Sequence, residues 1–339
     1  MEDSAKKSCP AGLYPYPAGC VAVMVGTHGI LWESNVTRKK KQHFVPQCHL
    51  RGFAIEDKKN LIWEYDKKYI KISKTPKSIP KSVCCKDYYY EQVKPDGSKT
   101  QILEDALNKV ETPAIETIRK LHDQKTLTPK GKGTLAYYIA LLLVRGPSFR
   151  DGCHSLLKHA VDMTLQILYK KGKIPEPPAE IVPNAEIFSH ASLPHMMKPT
   201  NEIWQSLCYK KWDIYFSRDD YFVTSDTPVM FGGSFDVSYG VGPSHPQSLI
   251  ICPLTKNMNV VARPYVSSDD SAYECKSAER EMVEKINQLM CFKSQRFIYA
   301  SKKSEHLLEY IKSATGFSQS LKAYKFGNAV ISRWDTDKT

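Results

Sequence analysis

The sequence lacks the short motifs that mark several common enzyme classes. None of the patterns GxxxxGKS/T, GxGxxG, GxSxG and HExxH occurs in its 339 residues. P-loop, Rossmann, α/β-hydrolase and zincin chemistry therefore all lack their usual signatures. Any catalytic site in this chain has to be inferred from single polar residues and their positions.

Paired cysteines and long apolar runs are also missing. The ten cysteines include no CxxC pair, which argues against a zinc ribbon or finger. We find no signal-peptide pattern, so we expect reduced thiols in a cytoplasmic protein. No stretch reaches the ~18–20 apolar residues that cross a bilayer, so we expect no membrane partner. The run LAYYIALLLV (135–144) has instead the length of a buried core helix.

Positive charge is in excess. The chain has 48 lysines and arginines against 36 aspartates and glutamates, a formal net charge of +12. Such a balance favours acidic partners, and we expect nucleic acid to be one. The alternative is that surplus lysines only keep a large domain in solution.

The order of patterns along the chain predicts one α+β domain. Residues 1–38 differ in character from the rest and are expected to form a loosely ordered N-terminal extension, with the domain at 39–339. In ILEDALNKVETPAIETIRKLH (102–122) the apolar residues recur at helical spacing, with Pro113 inside the run. Strand patterns prevail after about residue 200. We therefore expect a helical centre packed on a mainly antiparallel sheet.

Three segment pairs have the pattern of antiparallel hairpins. LIWEYDKKYIKISKTP (61–76) alternates apolar and polar residues. WDIYFS and YFVTSD flank the turn residues RDD, and SLIICPL and MNVVARP flank TKN. Short loops between strand-like runs favour direct pairing of the two strands.

Three charged residues stand out by position. Glu111 extends the row Leu103–Leu107–Glu111–Ile115, so it lies on the apolar helix face, where a carboxylate is costly unless paired. Arg145 ends an almost entirely apolar helix, where a cation suits the helix end, pairs with Glu111 or binds a phosphate. Asp226 follows a strand, either as an exposed catalytic group or as part of a turn that bonds nearby amides.

A set of ordered blocks resembles one known family. The blocks are KQHFVPQCHLRGFA, LIWEYDK, PKSVCCKDYYY, LNKVETPAIETI, LLLVRGPSF, YFVTSDTPV and VEKINQLMCFKSQRFIYAS. In this order they are similar to the bacterial and fungal domain-of-unknown-function family numbered 4238, with its motif HxVPQxxLRxF, over roughly residues 40–300. The resemblance implies a single domain and supplies no activity. The family's polar motif residues fall on His43, Gln47, Arg51, Glu111, Arg145 and Asp226. His49 stands where the family more usually has an aromatic residue.

These polar residues suggest phosphodiester chemistry if they converge. The candidate catalytic residues His43, Glu111 and Asp226 would activate water or hold a divalent cation such as Mg²⁺ or Mn²⁺. The candidate phosphate-binding residues are Gln47, Arg51 and Arg145. We therefore expect a nucleic-acid-directed protein, a nuclease or phosphodiesterase-type hydrolase acting on RNA or DNA.

Basic and aromatic segments would supply the contacts to a nucleic acid. RKKKQH and the lysine-rich residues 67–81 would contact phosphates. Six aromatic residues interleave with this charge and could stack on bases: Trp63, Tyr65, Tyr69, Tyr88, Tyr89 and Tyr90. One alternative is a non-catalytic module that binds nucleic acid or an acidic protein. Another is an enzyme on a small phosphorylated or nucleotide substrate, with Arg51 and Arg145 as its clamp.

Overall fold

The fold is known for most of the chain from residue 39 onward. The computed structural model describes residues 39–93, 97–177, 199–233, 242–266, 269, 271–326 and 329–338. The expected N-terminal extension, 1–38, lies outside the described residues. No helix in the described part of the chain is long and apolar enough to cross a membrane.

Eight helices occur in the described ranges. Their bounds are α1 Gln47–Arg51, α2 Ile79–Ser82, α3 Ile102–Gln124, α4 Pro129–Val144, α5 Pro147–Lys170, α6 199–208, α7 Arg280–Lys293 and α8 Glu305–Ser313. Helix α4 begins with Pro129 after Thr128, whose side-chain oxygen accepts a hydrogen bond from the Gly131 amide. The run 135–144 is buried apart from one half-buried residue, so α4 is the central helix that its apolar sequence predicts.

The strands of the described residues form two larger sheets and three two-stranded pairs. Their bounds are β1 Lys41–His43, β2 Leu61–Asp66, β3 Lys71–Ile72, β4 Lys77–Ser78, β5 Cys85–Asp87, β6 Gln92–Val93, β7 Lys99–Thr100, β8 Lys211–Phe216, β9 Thr224–Ser225, β10 Met230–Gly233, β11 Ser248–Thr255, β12 Met258–Arg263, β13 Tyr273–Ser277, β14 Phe297–Ala300, β15 Phe317–Phe326 and β16 Ala329–Lys338. One large sheet has the order β10-β11-β12-β8-β13, and the other has β3-β2-β14-β9 with β4 also on β2. Among these strands the pairings are antiparallel except that of β13 with β8. The expected α+β domain with a mainly antiparallel sheet is confirmed.

Two of the three predicted hairpins are confirmed and one is wrong. Strands β2 and β3 pair, as do β11 and β12. The predicted pairing of β8 with β9 does not form, because β8 lies between β12 and β13 while β9 pairs with β14. After the RDD turn, the Asn287 side chain binds the backbone of Tyr221 and Val223, at 3.0 and 2.9 Å. The side chain of Asn287 on α7 thus anchors the segment that leads from β8 to β9 in the second sheet.

Helix α5 packs directly against β15. Gly152 on α5 is buried, and a Cβ built on it would lie 2.5 Å from both Cβ and the carbonyl oxygen of Leu321. The two backbones can approach this closely only because the helix residue has no side chain. The close contact ties the end of the chain to the helical centre.

Candidate functional site

The β1–α1 corner places the first group of candidate residues in one row. His43 ends β1, and Gln47 and Arg51 lie four residues apart on α1. Gln47 Nε2 lies 3.4 Å from His43 Nδ1, and Arg51 Nη2 donates to Gln47 Oε1 at 2.9 Å. Arg51 Nε also donates to Asn60 Oδ1 at 3.1 Å. A chain of side-chain contacts therefore runs from the buried His43 to the exposed Arg51.

Glu111 and Arg145 form a buried ion pair beside this row. Arg145 Nη1 lies 2.7 Å from Glu111 Oε1, with the arginine side chain only 4 % exposed. Arg145 Nη2 donates to the carbonyl oxygen of His43 at 2.8 Å, and Nε donates to the Tyr90 hydroxyl at 3.0 Å. The pairing expected from the apolar position of Glu111 is confirmed. Five of the six candidates thus belong to one network, and the guanidinium of Arg145 is already occupied by protein atoms.

His43 is held as a neutral imidazole. Its Nε2 lies 3.1 Å from the Ile79 carbonyl oxygen, which only accepts, so Nε2 carries the proton. Nδ1 then accepts from the amide of Gln47. The pKa of His43 is lowered, mainly because burial disfavours the charged ring. With both ring nitrogens engaged, this geometry leaves His43 no free nitrogen with which to activate a water molecule.

Cys48 extends the network without being a reactive thiolate. Its Sγ donates to Glu111 Oε2 at 3.5 Å. Burial, followed by the charge of Glu111, raises the pKa of the Cys48 thiol to about 12. A nucleophilic cysteine needs the opposite shift. Cys48 therefore serves as a hydrogen-bond donor to the carboxylate.

Asp226 is used elsewhere in the fold. Its carboxylate accepts hydrogen bonds from the amides of Gln295, Arg296 and Phe297, at 3.0, 2.8 and 2.9 Å. The carboxylate is buried, and its pKa is raised because burial outweighs these three amides. Asp226 therefore fixes the start of β14, a distant segment, and not the local turn considered from the sequence. The local turn bond is made by Ser225, whose Oγ accepts from the Thr227 amide at 3.0 Å.

The structure does not bring the three candidate catalytic residues around one point. Glu111 and His43 are joined through Arg145, whereas the carboxylate of Asp226 is bonded to the amides of Gln295, Arg296 and Phe297 at the start of β14. No group of three or more His, Cys, Asp and Glu side chains that could hold a metal ion occurs in the described ranges. The divalent-cation site expected on His43, Glu111 and Asp226 is therefore not formed.

His49 is a buried core residue. Its Nε2 lies 3.3 Å from the Thr224 hydroxyl, and its ring lies 5.3 Å from that of Phe53. Complete burial, with a smaller contribution from Arg145, lowers the pKa of His49 to about 3. The ring takes the packing position that an aromatic residue would fill.

The lysine-rich segment 67–81 is divided between core and surface. Lys67 is buried, and its Nζ donates to the carbonyl oxygens of Cys291 and Ser294 at 2.6 and 3.0 Å and also to that of Phe317. Burial lowers the pKa of Lys67 to about 8. Its cation binds the carbonyls at the C-terminal end of α7. Lys67 is therefore not one of the phosphate contacts expected from this segment, whereas Lys68, Lys71, Lys74 and Lys81 are exposed.

Only part of the aromatic set can reach a ligand. Tyr65, Tyr89 and Tyr90 are buried, and Trp63 is half-buried. Tyr69 is 56 % exposed and Tyr88 is 37 % exposed. Base stacking by the whole set is therefore ruled out in this structure, and Tyr69 is the most accessible of the six rings.

Tyr69 lies in the turn between β2 and β3 and is surrounded by cations. Lys71 Nζ, Lys68 Nζ and Arg296 Cζ lie 4.7, 5.5 and 5.5 Å from its ring centroid. We call Lys68, Tyr69, Lys71 and Arg296 the Tyr69 cluster. All three distances are within the range of cation–π attraction. The cluster thus joins an exposed aromatic ring to concentrated positive charge.

Arg296 is held in place on one side of the Tyr69 cluster. Its guanidinium donates to both carboxylate oxygens of Asp66, at 2.8 and 3.3 Å, and its Cζ lies 4.6 Å from the Phe297 ring centroid. A guanidinium that is held by a carboxylate and packed on aromatic rings loses little conformational entropy when a ligand binds. The next residue of the turn, Ile70, has φ 48°, which is unusual for a β-branched residue and typical of constrained turns.

The comparisons with known proteins identify a family and no activity. A family model described as "Protein of unknown function (DUF4238)" matches residues 41–304. This match confirms the resemblance drawn from the ordered sequence blocks. Neither the curated proteins nor the solved structures give a match to the chain.

Proposed function

We propose that this chain, which belongs to the family of proteins of unknown function DUF4238, binds single-stranded nucleic acid through the Tyr69 cluster. The observation that carries the proposal is the exposed Tyr69 ring with three cations around it. Bases of a single strand have free faces that stack on such a ring, and the neighbouring phosphates are attracted by the lysines of the cluster. Bases inside a duplex have no free face for this contact.

The two lysines of the cluster are available for phosphates. Lys68 and Lys71 are exposed, and neither takes part in an ion pair within the described part of the chain. Arg296, by contrast, is neutralised by Asp66, so it holds the ring rather than adding net charge. Exposed Lys74 belongs to the same segment, and the whole chain carries a net charge of +12. Binding should therefore weaken with salt, with a slope of ~0.7 per phosphate neutralised on a single strand.

The test is fluorescence anisotropy with a labelled single strand of about 12 nucleotides, at roughly 50 to 200 mM salt. One stacked base contributes ~1–3 kcal/mol, so Tyr69→Ala should weaken binding about 5- to 150-fold, while Tyr69→Trp should retain it. Lys71→Gln should lower the salt slope by roughly 0.7. The matched control is Tyr209→Ala, because Tyr209 is 63 % exposed and lies between α6 and β8.

Equal binding by Tyr69→Ala and the parent protein would overturn the proposal. So would a preference for a duplex of the same length. Binding of an acidic peptide in place of the oligonucleotide would instead favour the protein-binding alternative.

Hydrolysis of the bound strand stays a prediction from the sequence, as does a cytoplasmic location. The cleavage assay uses the same oligonucleotide with Mg²⁺, Mn²⁺ or a chelator and follows the length of the product. Glu111→Gln and Asp226→Asn, checked for folding by circular dichroism, are the variants to compare. Metal-dependent cleavage that both folded variants lose would support the hydrolase.

A further inference from the structure

A second region of positive charge, apart from the Tyr69 cluster, lies at the large sheet that contains β8, β12 and β13. A cavity of about 460 Å³ is bordered by the end of α3, the end of β8, the β11–β12 turn and the end of β13. Its lining includes the basic side chains of His122, Lys125, Arg218 and Lys276, and no aspartate or glutamate is among the described residues that line it. The volume is within the range of small-molecule sites.

Two of these cations lack a carboxylate partner. Lys276 pairs with Asp213 at 3.1 Å, and His122 lies 3.1 Å from Asp123. Lys125 and Arg218, in contrast, form no ion pair within the described residues. The pKa of Lys125 is lowered mainly by burial; Cys275 and the charge of Asp123 act against this shift, and the charge of Arg218 adds a smaller lowering. Two cations that repel each other across a cavity are stabilised by an anion between them.

The backbone holds the Lys125 cation at this place. Lys125 ends α3 in the left-handed region, with φ 54°, and its amide donates to the Leu121 carbonyl oxygen. Its own carbonyl oxygen accepts from Cys275 Sγ at 3.2 Å. The Nζ atom lies 3.3 Å from the centroid of the Phe216 ring, which is another part of the cavity wall. The anchored backbone and the Phe216 contact therefore place the Lys125 cation at the cavity wall.

The segment that carries Arg218 is fixed as well. Asn257 Nδ2 donates to the Ser217 carbonyl oxygen at 3.0 Å, and Ser217 Oγ donates to the Asp220 carbonyl oxygen at 2.7 Å. Asn257, Ser217 and Ser277 line the cavity and are polar groups that a bound oxyanion could also contact. The site therefore combines two unpaired charges with polar side chains on anchored backbone.

We propose that this cavity binds the phosphate group of a phosphomonoester. A phosphate dianion balances the two unpaired cations, and the guanidinium fork of Arg218 matches two of its oxygens. This site is separate in the fold from the Tyr69 cluster and does not depend on the function proposed for that cluster. It also differs from the phosphate clamp of Arg51 and Arg145 considered from the sequence.

Isothermal titration calorimetry on the full chain tests the proposal with uridine, uridine monophosphate, inorganic phosphate and sulfate. We expect the monophosphate to bind at least about tenfold more tightly than uridine, since a charged hydrogen bond contributes ~1.5–3 kcal/mol. Arg218→Gln and Lys125→Met should each weaken binding about tenfold or more. Lys120→Met is the matched control, because Lys120 is exposed on the same last turns of α3.

The arms of the titration separate the sources of the phosphate group. Inorganic phosphate that binds as tightly as the monophosphate assigns the site to the free ion. Tighter binding of the monophosphate, or of a 5′-phosphorylated over a 5′-hydroxyl oligonucleotide, assigns it to a nucleotide end. Equal affinity for uridine and its monophosphate overturns the proposal, as does unchanged binding by Arg218→Gln. Tyr69→Ala should leave the monophosphate affinity unchanged, which distinguishes this site from the Tyr69 cluster.

Discussion

Replacement of Glu111 by glutamine would leave the guanidinium of Arg145 charged inside the protein without its carboxylate. The side chain of Arg145 is 4 % exposed and that of Glu111 is 17 % exposed, so water can replace little of the lost interaction. Removing one partner of a buried pair costs ~3–5 kcal/mol. Glutamine keeps an oxygen that can accept from Arg145, so we expect a loss near the lower end, about 3 kcal/mol.

The assay is equilibrium unfolding in urea, with the free energy of unfolding taken from the midpoint and slope. Glu116→Gln is the matched control, because Glu116 is exposed on the same helix α3. The double variant Glu111→Gln/Arg145→Met should be more stable than the sum of the two single losses predicts, since both charges are then absent. If Glu111→Gln unfolds at the same urea concentration as Glu116→Gln, the ion pair is not a significant source of stability and the reasoning fails.

Three further predictions concern the core. Because the pKa of His49 is lowered to about 3, the unfolded chain binds a proton below about pH 6.5 and the folded chain does not, so stability falls as pH falls. In urea unfolding at a series of pH values, His49→Gln should remove roughly 1.4 kcal/mol per pH unit of this slope between about pH 4 and 6, and an unchanged slope would contradict this. Asp226→Asn should lower the free energy of unfolding in urea by ~2 kcal/mol, because an NH₂ donor replaces one carboxylate oxygen that accepts hydrogen bonds from backbone amides. An unchanged unfolding midpoint would contradict this. Gly152→Ala should lower the free energy of unfolding by ~1–3 kcal/mol, because the new methyl group would collide with the Leu321 backbone. Thermal melting measures the loss, and a rise in the melting midpoint would contradict the prediction.

The network around Arg145 was predicted in part from the sequence. The helical spacing of Leu103, Leu107 and Glu111 placed the carboxylate on the apolar face, and burial required a partner. The basic residue at the end of the apolar helix, Arg145, supplied that partner. Tyr90, which also binds Arg145, was not identified in this role, since nothing in the run YYY distinguishes one ring from its neighbours.

Local sequence determined the helices, the α+β class and the family, because periodicity, helix ends and ordered blocks are properties of neighbouring residues. Only the tertiary structure decided the partners of polar groups from distant parts of the chain. Lys67 binds carbonyls that are 224 and 227 residues further along, and Asp226 binds amides 69 to 71 residues away. The local sequence of a lysine or an aspartate is similar whether its charge is solvated or buried, and the packing of remote segments decides between the two. The same packing leaves Tyr69 exposed among cations while it buries Tyr65, four residues earlier, and Tyr89.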